Sequence, residues 1–275
     1  MSKPIAIQGI IGSFHHEVAQ QYFNLNTEVV ECMSFDSAVD SLLQGQTDTI
    51  VMALENSIAG SIIPNYALID HHNLDIVGEY YLDIQHNLLA LNGQGIDEIE
   101  EVHSHPMALL QCKVFFKDYP HIKLVEAKDT ADVAKQINAE QIKGIAAIAS
   151  KNAAELYSLN VLASSIQTIK HNETRFVIVK RQNHETERIG INKASLKFEL
   201  DHKRGSLATI LNVMSDCKLN LTKIQSLPKI DTPWKYAFFV DVTFETYEDY
   251  EKANAIMKIM AENFKVLGEY KNARL

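Results

Sequence analysis

What is scarce in this chain narrows its function before any motif is read. Cysteine occurs three times, at Cys32, Cys112 and Cys217, far apart and never as a CxxC pair. Neither a disulfide framework nor a cysteine zinc site is expected, and reduced thiols fit a cytoplasmic protein. Positive charge is in deficit: 26 Lys and Arg against 35 Asp and Glu give a net charge of −9 at pH 7. No basic run exceeds two residues (Lys180-Arg181), so nucleic acid is excluded as a partner, because neutralising phosphates needs a basic face. A small anion needs only one or two local cations and stays within reach. No stretch approaches the roughly 20 apolar residues of a membrane span. Met1-Ser2-Lys3-Pro4 enters Ile5-Ala6-Ile7 without a signal-like segment, so no membrane partner is expected and the location is read as cytoplasmic.

What is present is an ordinary globular composition, 46% hydrophobic and 22% charged over 275 residues, enough for two domains. Ile5–Gln8 reads as a strand, followed by Gly9-Ile10-Ile11-Gly12-Ser13-Phe14. Glycines there let backbone approach a ligand, and Ser13 caps a helix to about Asn24, a strand–turn–helix that suits an anion. Two glycines fall short of GxGxxG, so a dinucleotide is rejected. The rhythm repeats: strand Glu28–Cys32, helix Ser34–Gln44, and a continuous apolar strand Thr49–Leu54 of the kind buried on both faces. That strand ends in Glu55-Asn56-Ser57, at the position where open α/β sheets place their sites; the blander reading is that Asn56 and Ser57 cap the next helix, Ile62–Ile69.

Asp75–Leu91 is long and strand-like, with Ile84, His86, Leu88 and Ala90 in alternation. It carries the chain into a second lobe of strands and helices that holds Ser104, His105, Pro106 and Gln111. The return passes through His171-Asn172-Glu173-Thr174-Arg175-Phe176, read as a polar loop at the mouth of the apolar strand Phe176–Val179. Fully extended backbone there would send Thr174 and Arg175 opposite ways. Gln182–Asn192 is polar and reads as a linker. Beyond it, strand Ala194–Leu200, helix Gly205–Cys217, strand Leu219–Ser226, loop Lys229–Pro233, strand Tyr236–Phe244, helix Tyr247–Asn263 and strand Val266–Tyr270 give the ferredoxin-like β-α-β-β-α-β order. Its helices are expected on one sheet face, with the other face and the edges left for a partner.

With these pieces placed, the chain resembles a prephenate dehydratase followed by an ACT regulatory domain. The resemblance rests on the glycine turn before Phe14, Glu55-Asn56-Ser57 with Gly60-Ser61, Ser104-His105-Pro106 with Gln111-Cys112, and Asn172-Glu173-Thr174-Arg175-Phe176. Gly205-Ser206-Leu207 and Asn220-Leu221 resemble the ACT effector site. It implies a two-lobed α/β catalytic domain like a type II periplasmic binding protein over residues 1–181, with lobe 1 at about 1–81 and 172–181 and lobe 2 at about 82–171. The linker 182–192 and an ACT domain at 193–275 follow.

The resemblance further implies that prephenate is dehydrated and decarboxylated to phenylpyruvate, with no metal or cofactor. Thr174 is implied as the catalytic hydroxyl, Asn56, Ser104 and Gln111 as substrate-orienting groups, and Glu55, Ser57, Ser13, Phe14 and Phe176 as further substrate neighbours. Arg175 is implied as the grip on a carboxylate, and His171 is either a proton source or a surface histidine. L-phenylalanine is implied as effector, with a homodimer or homotetramer formed through ACT domains and lobes that close about a hinge near Leu82 and His171. Gln225-Ser226-Leu227-Pro228 departs from the usual Glu-Ser-Arg-Pro, Met107 stands where glutamine is common and Ser206 where alanine is. No chorismate-mutase-type helix precedes Ile5, so dehydration alone is expected. Arogenate is the alternative substrate; a non-catalytic amino-acid sensor is the alternative class.

Overall fold

The computed structural model describes residues 3–182, 190–201, 203–228 and 235–274. Most of the expected linker and the loop Lys229–Pro233 lie outside the described residues. In chain order the elements are β1 (Ile5–Gln8), α1 (Phe14–Tyr22), β2 (Val29–Cys32), α2 (Phe35–Leu43), β3 (Thr49–Asn56), β4 (Gly60–Ser61), α3 (Ile63–His71), β5 (Leu74–Asp83) and β6 (Asn87–Ala90). Next come β7 (Glu101–Ser104), α4 (Pro106–Cys112), β8 (Lys123–Glu126), α5 (Thr130–Glu140), β9 (Ile145–Ala149), α6 (Lys151–Leu156), β10 (Asn160–Ala163) and β11 (Glu173–Arg181). The C-terminal elements are β12 (Lys193–Glu199), α7 (Ser206–Asp216), β13 (Asn220–Pro228), β14 (Tyr236–Thr243), α8 (Tyr247–Met260) and β15 (Glu262–Tyr270). Packing divides the chain into two compact units, Met1–Gly60 with Tyr81–Phe176, and Ser61–Tyr80 with Val177–Leu275.

The first unit holds two α/β lobes. In one, β1 pairs in parallel with both β2 and β3. Ser13 and Ser34 cap α1 and α2 by accepting backbone N–H groups, as serine does where a helix leaves its first donors unpaired. The other lobe is a sheet of order β10-β6-β9-β7-β8. Its central strands are buried on both faces, so the two-residue period splits their side chains between two cores. Leu89, Ala147 and Ala149 pack with Ala131, Ala134 and Ile137 of α5. Leu88, Ala90, Ala146 and Ile148 pack with Ala108, Leu109 and Cys112 of α4. The long stretch expected over Asp75–Leu91 is two strands, broken at residues 84–86 where the chain crosses between lobes.

In the second unit the C-terminal sheet runs β13-β14-β12-β15, the ferredoxin-like arrangement. Ala194, Leu196 and Phe198 face a core closed by Ile210, Met214, Tyr250 and Met257 of the two helices. The opposite sheet face was expected to be free, and it is not. Every residue of β12 is buried, because α3 and β5 cover that face. Lys193 Nζ meets Glu79 at 2.8 Å, with both side chains almost wholly enclosed (4% and 0% exposed). Lys197 Nζ lies 3.1 Å and Lys265 Nζ 2.7 Å from the Asp70 carboxylate. Ser195 Oγ donates to Asp241 at 2.5 Å and shares a 2.6 Å hydrogen bond with the Tyr270 hydroxyl. Buried charge is tolerated there only because it is paired and hydrogen-bonded.

Gly268 on β15 is the point of closest approach: a Cβ there would overlap the Ile76 carbonyl. Gly268→Ala is therefore expected to destabilise the protein by about 1–3 kcal/mol, the cost of overpacking. A lowered urea midpoint would show it; an unchanged midpoint would mean the contact is not tight.

Candidate functional site

The carboxyl end of β3 and the start of β11 build the site together. Ser57 N donates to Glu173 O at 2.8 Å, and Glu173 N donates to Ser57 Oγ at 3.0 Å. This pairing draws Glu173-Thr174-Arg175 into the strand, so the expected polar loop is strand from Glu173 onward. Asn56 and Ser57 do not cap the next helix, because β4 intervenes and Ile62 precedes α3 with no side-chain cap. Asn56 Oδ1 instead accepts from the backbone N–H groups of Ile58 (3.0 Å) and Ala59 (2.8 Å).

That turn fixes which way the Asn56 amide points, and the rest of the polar cluster follows. Asn56 Nδ2 donates to Asn172 Oδ1 at 2.7 Å and to Thr174 Oγ1 at 2.9 Å. Asn172 then presents Nδ2, which donates to Gln111 Oε1 at 2.9 Å. The same oxygen lies 2.9 Å from His86 Nε2. Flipping any one amide would set nitrogen against nitrogen or oxygen against oxygen along the row, ending with two backbone N–H groups facing an NH₂. Thr174 Oγ1 thus accepts from Asn56, and its own hydrogen has no acceptor among the described residues. Asn172 is fully buried and Thr174 is 7% exposed.

The two segments that cross between lobes frame this row. Ile84 N donates to Asn172 O at 2.6 Å, and Ile166 N donates to His86 O at 2.8 Å. His86 N donates to Gln167 Oε1 at 3.0 Å. Burial lowers the His86 pKa; the Gln111 bond opposes that shift, and the charge of His105 adds to it. Phe14 stands edge-on to His86, with ring centroids 5.7 Å apart.

The remaining expected residues are distributed unevenly. Thr174, Asn56, Gln111 and Phe14 belong to the cluster. Ser57 and Glu55 flank it, on the β3 end. Ser13 is spent on the cap of α1. Ser104 is fully buried and its hydroxyl donates to Ile148 O at 2.7 Å, tying β7 to β9. In extended β11, Thr174 and Phe176 share a face and Arg175 takes the other. Phe176 is 1% exposed and packs edge-on to His15, centroids 5.0 Å apart, so it is core. His171 is exposed. His86 and Asn172 carried no assigned role in the sequence; the signal for His86 is its place in an otherwise apolar alternation.

In the second unit, Ser206 and Leu207 line a cavity of about 130 Å³ with Asp201, Lys203 and Tyr236. Gly205 precedes α7 with φ of 84°. Asn220 opens β13 exposed, and Leu221 packs on the C-terminal core; neither lines that cavity. Among the described residues, no group of three or more His, Cys, Asp or Glu stands together to hold a metal, and no helix is long and apolar enough to cross a membrane.

His15, packed on the core residue Phe176, gives the fold a pH signature. Its Nε2 is buried without a hydrogen bond among the described residues, between Phe35 and Phe176, and burial pulls its pKa down to about 3. The unfolded chain takes a proton near pH 6.5 while the folded ring stays neutral, so stability drains as pH falls from 6.5 towards 3. Between pH 7 and 4.5 the loss from this group is about 2–3 kcal/mol. His15→Leu should flatten the acid side of the urea-stability profile by that amount; parallel profiles for the two proteins would contradict it.

Residues 5–184 match the family model described as prephenate dehydratase. The chain is 36% identical over 97% of its length, and 72% of the relative's, to arogenate dehydratase/prephenate dehydratase 2 of Arabidopsis thaliana. Among solved structures, a quorum-quenching acylase, GqqA, superposes with a TM-score of 0.88 at 25% identity, covering 98% of each chain. The prephenate dehydratase of Arthrobacter aurescens, solved in complex with L-Phe, also gives 0.88, at 24% identity over 98% of this chain and 90% of that one.

Proposed function

Because the chain belongs to the prephenate dehydratase family, we propose that the row from Asn56 to His86 is the floor of its active site. Prephenate loses its ring carboxylate as CO₂ while the electron pair of that C–C bond enters the ring and the C–O bond to the ring hydroxyl breaks. The departing oxygen takes up a proton and leaves as water, and the aromatic product is phenylpyruvate. Aromatisation drives the step, so the protein's task is to hold a dianion in register and to stabilise the oxygen as it gains charge.

The observation that carries this reading is the sense of the Thr174 hydrogen bond. The hydroxyl accepts from Asn56, which leaves its hydrogen to donate outward to the leaving oxygen. A threonine is too weak an acid to match general acid catalysis near neutrality, so Thr174 acts as an aimed donor. Gln111 Nε2, with no partner among the described residues, supplies donors to a substrate oxygen. Ser104 and Arg175 serve from behind: one braces the second-lobe sheet and the other projects from the opposite face of β11. Acyl transfer asks for a nucleophile beside a base, and no base adjoins Thr174 among the described residues.

The C-terminal domain is read as an ACT module that binds L-phenylalanine at the entrance to α7, where Ser206 and Leu207 line the cavity. Residues 1–181 are then the catalytic part and 193–275 the regulatory part. Assembly through the C-terminal sheets into a dimer or tetramer goes with it, and sedimentation of the full chain tests that: a monomeric mass would rule it out.

Thr174→Ala is expected to lower turnover of prephenate by roughly 10²–10³-fold, the scale of removing one aimed donor, with folding intact. Phenylpyruvate absorbance reads the rate. Turnover close to that of the unaltered protein would remove Thr174 from the chemistry.

A further inference from the structure

His86, at the far end of the polar row, has no role in the mechanism so far, and its chemistry is constrained. Gln111 Oε1 receives the Asn172 amide at 2.9 Å and faces His86 Nε2 at the same distance. His86 Nδ1 is buried with no hydrogen-bond partner among the described residues. A neutral imidazole carries one hydrogen, so two tautomers compete. With the hydrogen on Nδ1, a buried N–H would be orphaned and the Nε2 lone pair would point at the lone pairs of Gln111 Oε1. With it on Nε2, Gln111 gains a second donor and the only unmet group is an acceptor. A buried donor without an acceptor is the rarer and costlier defect.

We propose that His86 is a positioning residue for the dehydration: held as the Nε2–H tautomer, it donates to Gln111 Oε1 and, together with Asn172, turns the Gln111 Nε2 amide out of the row towards the substrate. The inference rests on the reading of Gln111 given above. His86 sits on one crossing segment and Asn172 on the other, and Gln111 on α4 of the second lobe. One carbonyl oxygen thus gathers donors from both crossings, so the orientation of Gln111 depends on the two crossings keeping their spacing. The burial that holds the ring neutral and the edge contact of Phe14 at 5.7 Å keep it in one tautomer and one orientation. Losing the His86 bond frees Gln111 to rotate without touching the substrate directly.

The test combines a spectrum of the unaltered protein with a small set of variants. In a two-bond ¹H–¹⁵N spectrum of the full chain, the His86 ring is expected to show a protonated Nε2 and a bare Nδ1 at pH 7. His86→Phe is expected to lower kcat/KM for prephenate by roughly 10–100-fold, the range of one or two lost hydrogen-bond equivalents. His86→Gln, which can return an N–H near the Nε2 position, should recover most of that loss. In a Gln111→Ala background, His86→Phe should add nothing, because the two act as one unit. An Nδ1–H ring, or a His86→Phe loss undiminished in the Gln111→Ala background, would overturn the assignment. If His86→Phe does not fold, the spectrum of the unaltered protein decides. Full activity in Gln111→Ala alone would instead sink the reading of the substrate site, an outcome distinct from both.

Discussion

Two backbone N–H groups, those of Ile58 and Ala59, hold the side-chain oxygen of Asn56, and the polarity of the row from Asn56 to His86 depends on that grip. A carboxamide is symmetric in shape and opposite in chemistry at its two ends. Once one end is committed to the backbone, Asn56 must donate to Asn172 and Thr174, Asn172 must donate to Gln111, and Gln111 must accept from His86. The directional order passes through four side chains from a single turn at the end of β3. Its product is a threonine whose lone pair is occupied and whose hydrogen is spare. A hydroxyl in that state is a donor already oriented, and in the proposed mechanism it stabilises developing charge at least reorganisation.

The row lies where the two lobes of the first unit are joined, with crossing segments side by side through Ile84–Asn172 and Ile166–His86. An apolar crossover would be simpler to bury. A fully satisfied polar one is stiffer and specifies a single arrangement, while a partly satisfied one is costly. Here the satisfied groups face each other, and the donors left over among the described residues, on Thr174 and Gln111, are those the proposed mechanism uses. The second unit follows the same rule with charges in place of amides. Lys193, Lys197 and Lys265 are matched by Glu79 and Asp70, so the sheet of the C-terminal domain is bound to α3 and β5 by pairs that tolerate little rearrangement.

Local signals in the sequence were strong wherever structure is local. Serine at the start of a helix became a cap at Ser13 and Ser34, and the apolar run of β3 became a strand buried on both faces. The ferredoxin-like order was readable because its strands alternate and its helices carry one apolar face. Long-range partners decided the rest. Glu173-Thr174-Arg175 is too polar to announce a strand and becomes one only against the end of β3. Nothing in Lys193-Ala194-Ser195-Leu196-Lys197 says that its polar alternate positions are buried, because the partners that permit it are distant in sequence: Glu79 and Asp70 more than a hundred residues earlier for the lysines, Asp241 and Tyr270 well downstream for Ser195. Thr174 and Asn56 could be named from their motifs, whereas the direction of the hydrogen bond between them required the backbone of Ile58 and Ala59. Phe176 and Arg175 show the limit of a motif: adjacent letters point to opposite faces once the chain is extended, and one of them is core.

The direction of these hydrogen bonds can be reversed while the shape of the row is left alone. Asn56→Asp keeps one oxygen on the Ile58 and Ala59 N–H groups and replaces the donor nitrogen with a second acceptor. Thr174 would then turn its hydrogen inward to that carboxylate, and Asn172 would lose its donor. Turnover of prephenate by the folded Asn56→Asp protein is predicted to fall by about 10²–10³-fold, as for an aimed donor removed outright. Turnover near that of the unaltered protein would show that the polarity of the row is irrelevant to the chemistry.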